Sequence, residues 1–524
     1  MRRVTIWRRL VQGASLTVFC LILCQAGASG VLTTAGSFFL SLDPLAGLAV
    51  PLSTKAWIAA LWPVLLVYVS AIVFGRVFCG WICPMGATLD AVGPIARLGH
   101  KTKQRAARRP RLVKYLVLAT VILAAIFGVN MAYWASPLPL TARLYGLVLL
   151  PLAEGAIDSV LPQLTVFAEF WGSDALRYVE IETHAFATAW FVALFWAGCL
   201  ALERITPRFW CRYLCPAGAL LGLLAHWALW RRRADSCVGC GACAQSCPSG
   251  ICRDMAAHTQ VSECLACFNC VQHCPHGAVR FGFAGTAQAK PSLLPSRRAF
   301  CGILTFGTVA GFAAQAAGEE CRPALRPPGS VPENKFLDLC LRCGACLRAC
   351  PTGGLQALWL ENGFAAMFSP RLDPRSGPCR PECTACGQIC PSKAILPLSL
   401  EEKQWTKIGT ATIDRTICLA WAENKRCMVC KENCPYDAID VEVQDGRAAP
   451  VPHIHPDRCY GCGYCEKYCP TPHPAVRVAP QGAVRPESQE SIAKVTARGE
   501  TIHGPKKMEP SSSIPTGAPP GFLE

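Results

Sequence analysis

The sequence predicts a multi-domain chain, with a four-helix α membrane domain ahead of three α+β ferredoxin-like modules of two clusters each. Three observations carry that expectation. Hydrophobic residues make up 52% of the 524 residues and charged residues only 16%, which excludes a disordered chain and fits one partly dissolved in lipid. The 34 cysteines recur in regular runs, unlike the framework of a small disulfide-stapled secreted domain, and point to metal. The charge is uneven: residues 1–318 hold 27 Lys+Arg against 12 Asp+Glu, while residues 319–524 hold 24 against 23. Basic excess beside apolar stretches is how membrane proteins fix their orientation, so the overall charge does not call for nucleic acid.

The membrane domain is expected over residues 1–233. Apolar runs at about 11–29, 56–78, 115–135 and 185–202 are each near the roughly 20 residues that cross a hydrocarbon core. Arg2, Arg3, Arg8 and Arg9 precede the first. The loop over 97–114 contains no acidic residue, and Arg204, Arg208, Arg212 and Arg231 to Arg233 follow the fourth, so both ends are expected in the cytoplasm. The stretch between the third and fourth runs carries Glu154, Asp158 and Glu169 and reads as amphipathic helices at the outer surface. Asp43, Asp90, His184, Glu203 and His226 lie near span ends and read as solvated interface residues.

The membrane domain is internally duplicated. Cys79-Gly-Trp-Ile-Cys83-Pro84-Met-Gly86 follows the second span, and Cys211-Arg-Tyr-Leu-Cys215-Pro216-Ala-Gly218 follows the fourth. The preceding loops echo each other too, with Leu42-Asp-Pro-Leu45 in one half and Ser136-Pro-Leu-Pro-Leu140 in the other. Repeats of this kind often meet at a shared site, and residues four apart on a helical turn share a face. Cys79, Cys83, Cys211 and Cys215 are therefore candidates for redox chemistry. Spacing alone leaves metal binding, disulfides, a quinone pocket and plain packing open.

The strongest chemistry begins at Cys237. The run C-x2-C-x2-C-x3-C-P gives three thiolates to one 4Fe-4S cluster and its fourth to the neighbouring cluster. Residues 234–285 match it twice, which predicts one ligand set of Cys237, Cys240, Cys243 and Cys274 and a second of Cys264, Cys267, Cys270 and Cys247. Residues 330–475 repeat the arrangement with wider first gaps at Cys379 and Cys418. There the same crossing predicts Cys340, Cys343, Cys346 and Cys390; Cys379, Cys383, Cys386 and Cys350; Cys418, Cys427, Cys430 and Cys469; and Cys459, Cys462, Cys465 and Cys434. Zinc also takes CxxC pairs, but a tetrahedral site has no use for paired four-cysteine runs ending in Cys-Pro. Six clusters imply a relay of single electrons. Cys20, Cys24, Cys199, Cys252, Cys301 and Cys321 read as packing residues. No CxxCH or helix-opening GxGxxG points to haem, flavin or nicotinamide.

Between the second and third ferredoxin motifs, within 292–320, Ser296-Arg297-Arg298-Ala299-Phe300 precedes a mildly apolar run ending in Ala314-Gln-Ala-Ala317. Paired arginines before such a run have the form of a Tat signal. That route carries folded proteins and suits a domain assembled around clusters before crossing. The run could be cleaved or remain as a fifth span. Residues 480–524, rich in Pro, Ser, Gly, Lys and Glu, read as a disordered tail.

On these motifs, residues 1 to about 285 resemble the four-helix quinol dehydrogenase subunit of periplasmic nitrate reductase systems (NapH, of the NosR/NapH type). Residues from about 292 to 475 resemble its Tat-exported ferredoxin-type partner (NapG), including Ser296-Arg297-Arg298 and the widened Cys418 to Cys427 gap. The pair found in methylamine utilisation (MauN and MauM) is similar. Here the two parts are joined, so export would act on an internal segment. The resemblance implies oxidation of quinol from the membrane pool and electron passage through the clusters to a periplasmic reductase or c-type cytochrome. It also implies a multi-pass inner-membrane protein with its first ferredoxin module cytoplasmic and the later ones periplasmic. Two other classes stay open: a copper-handling assembly factor, which related proteins with two CxxxCP motifs resemble, and a cytoplasmic ferredoxin hub.

Overall fold

In a computed structural model of the chain, the described residues are 2–26, 31–97, 111–170, 183–234, 237–251, 261–283, 323–444 and 447–492, with 302, 305, 308 and 309. The chain divides into two compact units. The first comprises Met1–Ala324, Ser330–Arg371 and Ala385–Pro397; the second comprises Leu325–Gly329, Leu372–Thr384 and Leu398–Glu524. The expected domain over 330–475 is thus divided, with its first motif in the unit that also holds the apolar helices. Ser296, Arg297 and Arg298 lie outside the described residues.

The first unit is built on apolar helices. Arg2–Cys24 contains a candidate span, Val4–Cys24, and a second candidate runs over Pro137–Thr165. The pair Thr34–Ser41 and Ala46–Thr54, bent by 88°, passes the same test together. Ala59–Phe74, Leu112–Ile126 and Ala189–Leu202 are apolar but shorter, so three of the four expected spans lose length to breaks. Pro63 and Gly75 bound Val64–Phe74, and the left-handed Gly75 turns the chain as only glycine does freely.

The stretch expected to lie as amphipathic surface helices is instead one long apolar helix. It continues from Pro137–Leu144 through a π turn at Tyr145–Leu149 into Leu150–Phe170. Its Glu154 meets Arg348 at 2.9 Å, a partner 194 residues away. Asp43 is also not solvated: it is fully buried at the bend. Its carboxylate accepts from Ser136 Oγ at 2.5 Å and from the N–H groups of Leu45 and Ala46, so one anion ties together the two echoing loops.

Both CxxxCP motifs open helices in the same way. Cys83 and Cys215 are the N-caps of Pro84–Ala96 and Pro216–Leu224, with proline at the first helical position, where its missing N–H costs nothing. The first ferredoxin module is closed by antiparallel strands Trp230–Ala234 and Val279–Phe283, with Arg232 opposite Phe281. In the second unit, Thr410–Ile413 pairs with Val476–Ala479 and Ile439–Glu442 with Val451–Ile454. The chain remains packed past the expected boundary at 480: Val484 N–H donates to Lys407 O at 2.9 Å and Ile492 is 1% exposed.

Candidate functional site

Four of the six ferredoxin runs are bent by a left-handed residue after the second cysteine. Gly241, Gly344 and Gly463 have φ of 75°, 79° and 89°, and Phe268 takes the same role at 60°. Each is followed by one helical turn bearing the third cysteine, so loop and turn present their thiols to one side. In the first unit, Cys340, Cys343, Cys346 and Cys390 line a single small cavity. In the second unit, Cys434, Cys459, Cys462 and Cys465 line another. Cys427 and Cys430 lie near Cys418 and Cys469, and Cys264 near Cys267, Cys270 and Cys247.

The widened gap after Cys418 holds one helical turn, Leu419–Ala422. Cys237 and Cys240 are exposed whereas Cys243 is buried. The Cys379 run is divided, with Cys379 and Cys383 in the second unit and Cys386 and Cys350 in the first. Within the second unit, Cys379 N–H donates to Cys462 O at 2.8 Å.

Burial pushes the Cys343 and Cys430 thiols up to about 12, and neighbouring cysteines add to the shift. Thiolates in such places need positive charge close by, which iron supplies. Among the described residues no three His, Cys, Asp or Glu side chains close around one point tightly enough for a single metal ion. A cubane shares its ligands over four irons and needs no such point.

Sequence reasoning missed a hydroxyl two residues after four of the fourth cysteines. Ser249, Thr352, Ser392 and Thr471 lie 3.5, 3.4, 3.9 and 3.1 Å from the sulfurs of Cys247, Cys350, Cys390 and Cys469. The recurring Cys-Pro-Ser/Thr was legible as a signal, because hydrogen bonds to sulfur tune cluster potentials.

The first ferredoxin module and the run at Cys340 sit at opposite ends of the first helix. Thr5 donates to Gln272 of the first module at 2.7 Å, while Cys24 lies near Arg348, beside Cys350. The candidate span between them is 21 residues, about 30 Å of helix. Around the Cys340 run, Asn130 donates to Asp338 O at 2.7 Å and the Arg342 guanidinium lies 3.6 Å over the Tyr133 ring.

At the N-terminal end the two CxxxCP motifs converge. Each of Cys79, Cys83, Cys211 and Cys215 has the other three as electrostatic neighbours, and all four are unpaired by disulfides. An arginine stands three residues before each motif: Arg76, which the sequence reading passed over, and Arg208, read there only as a basic residue after the fourth run; both are 2% exposed. Arg76 meets Glu263 of the ferredoxin module at 2.8 Å. Arg208 meets Asp90 at 2.7 Å and donates to Cys79 O at 3.1 Å. Their repetition at one offset was the available signal.

Beside them lies a cavity of about 650 Å³, walled by Arg8, Asp90, Glu203, Arg208, Cys247 and Pro248 among others. Glu203 is buried rather than solvated. Burial pushes its carboxyl above the ordinary range, against the N–H groups of Arg208 and Phe209 that it accepts from. Burial also opposes ionisation of Asp90, but Arg208 and Arg8 outweigh it and hold Asp90 at about 2.

A 4Fe-4S binding domain family matches residues 56–102 and again 188–234, and the 4Fe-4S binding domain matches 335–356. Two 4Fe-4S dicluster domain families match 229–275 and 425–472. The ferredoxin-type protein NapG of Escherichia coli (strain K12) is 35% identical over 195 residues, 36% of this chain and 83% of NapG. The chain belongs to the NapG/MauM family of ferredoxin-type proteins. The methylamine utilization ferredoxin-type protein MauM of Methylorubrum extorquens is 36% identical over 209 residues, 37% of this chain and 93% of MauM. MauM of Paracoccus denitrificans is 38% identical over 165 residues, 30% of this chain and 72% of that protein. No solved structure matches. The chain is therefore an iron-sulfur electron-transfer protein with several 4Fe-4S domains, one of whose families matches the apolar region twice.

Proposed function

We propose that the chain is a membrane-bound quinol dehydrogenase that relays electrons through six 4Fe-4S clusters to a periplasmic reductase of the nitrate reductase type or a c-type cytochrome. The six crossed cysteine sets hold the clusters. The observation that carries the reading is the cavity of about 650 Å³, a size usual for small-molecule sites. Its wall includes Cys247, a ligand of the second cluster, so a bound quinol ring is within short reach of an electron acceptor. Oxidising one quinol releases two electrons and two protons. The cluster that Cys247 would help to hold would accept the electrons one at a time, and Glu203, raised by burial, takes the two protons in turn at the same wall and passes each to water at the cavity's open side. Asp90 stays ionised beside Arg208 and serves as a fixed charge.

The arrangement at opposite ends of the first helix supports an inner-membrane topology with the first module cytoplasmic and the Cys340 run periplasmic. Export of the latter uses the twin-arginine segment and Tat machinery. The test is anaerobic: a menaquinol analogue is added to the purified full chain, with absorbance near 400 nm and EPR followed together. Bleaching is expected. Clusters that stay oxidised with quinol yet bleach with a low-potential soluble donor would overturn quinol entry. That outcome favours the second reading, a cytoplasmic ferredoxin hub, for which the exposed Cys237 and Cys240 supply an accessible entry point.

A further inference from the structure

A 4Fe-4S centre needs four thiolates, yet each of the two apolar repeats matched as a 4Fe-4S binding domain offers one CxxxC pair. From the way the fold joins the halves, we infer that Cys79, Cys83, Cys211 and Cys215 together hold a seventh iron-sulfur cluster, shared between the repeats.

Four features of the site converge on this. The thiols are neighbours of one another in every combination, much as Cys427 and Cys430 of a ferredoxin set each neighbour Cys418 and Cys469. Cys215 Sγ accepts the Gly218 N–H at 3.3 Å, as Cys434 and Cys469 accept from Ala438 and Ala475. Cys83 and Cys215 both cap helix N-termini, where backbone dipoles favour an anion. The buried Arg76 and Arg208 cross over to the opposite repeat. Arg76 lies against Gly218, so close that a Cβ there would be 2.5 Å from its Nη2, and Arg208 reaches Cys79 O and Gly86 O. Two guanidiniums oppose the negative charge that four thiolates give a cluster.

The position suits a relay. Gly80, between Cys79 and Cys83, has Leu265 O only 2.2 Å from where a Cβ would stand, and Trp81 Nε1 donates to Ala266 O at 3.0 Å. Leu265 and Ala266 separate the ligands Cys264 and Cys267. The two cysteine loops therefore touch, and Arg208 is an electrostatic neighbour of both Cys211 and Cys267. The seventh centre takes one electron from a reduced neighbour and gives one to an oxidised neighbour. No bond is made or broken and no proton is required.

The test does not involve quinol, so its failure is separate from failure of the quinol reading. The full chain is reconstituted anaerobically with iron and sulfide and weighed by native mass spectrometry, with EPR of the dithionite-reduced protein. About 28 irons per chain are expected, against about 24 for six clusters alone. The double variant Cys83→Ser, Cys215→Ser should lose about four irons and one EPR component while the others persist. Because that variant could misfold, the single change Cys211→Ala is run beside it, with the remaining signals as the folding control. A wild-type count near 24, or variants that keep every iron and every EPR component, would overturn the inference.

Discussion

The two apolar repeats carry the same signature, Arg-x-x-Cys-x3-Cys-Pro-x-Gly, and use it differently. In the first, Arg76 reaches out to Glu263, which also accepts from Lys114 and from Tyr115 Oη at 3.2 Å. In the second, Arg208 stays within the apolar repeats and pairs with Asp90 at the cavity wall. The residue after the first cysteine diverges to match, Gly80 admitting the Leu265 carbonyl where the other half has the buried Arg212. Duplication thus supplies a shared interface, and the partner carboxylates give one copy a docking role and the other a cavity role.

The largest effect expected from breaking this asymmetry is on docking. Glu263 is ionised although fully enclosed: burial works against its charge, but Lys114 and Arg76 outweigh that and lower its carboxyl. Glu263→Gln leaves two buried cations short of a counter-charge, a defect of about 3–5 kcal/mol. Hydrogen exchange over residues 261–283 should rise steeply while exchange over 410–479 is unchanged. Equal protection in wild type and variant would mean that the module is held by other contacts.

Next comes the cavity side. Glu203→Gln removes the proposed proton acceptor while keeping its shape, and should slow quinol-driven cluster bleaching by about 100-fold. Reduction by dithionite should be unaffected. A variant as fast as wild type would remove Glu203 from the chemistry.

A smaller change is expected for Arg208→Met. Asp90 sits at about 2 rather than its ordinary 3.8, so its carboxylate stabilises the fold above about pH 4. That contribution fades as the pH falls through the folded value. The variant should lose about 2 kcal/mol at pH 7, and its deficit should shrink toward pH 2. Thermal melts across that range would show a constant gap instead if the Asp90 pairing contributed nothing.

Much of this was readable from the chain. The spacing of the cysteine runs predicted neighbours such as Cys434 and Cys459 that the fold brings to one cavity, because cluster geometry leaves little freedom in local sequence. The long helix over Pro137–Thr165 was not legible, since Glu154 breaks an apolar reading and its partner Arg348 is 194 residues away. The burial of Asp43 and Glu203 was hidden for the same reason. A local window shows a charge, whereas the Ser136 hydroxyl and backbone N–H groups that satisfy it come from folding.

The finest difference between the halves lies in their closing glycines. A Cβ at Gly86 would stand 2.6 Å from Cys79 O, a backbone atom that cannot yield without moving the motif, whereas at Gly218 it would meet the tip of Arg76. Gly86→Ala should therefore cost about 1–3 kcal/mol through overpacking. In Gly218→Ala the contact is with the far end of a flexible side chain rather than with backbone, and the gain of about 1 kcal/mol from replacing a helical glycine offsets the loss. Melting temperatures should fall for the first variant and hardly move for the second. Equal losses would show that Arg76 is held as rigidly as backbone, which would make its bond to Glu263 the fixed point around which both repeats are assembled.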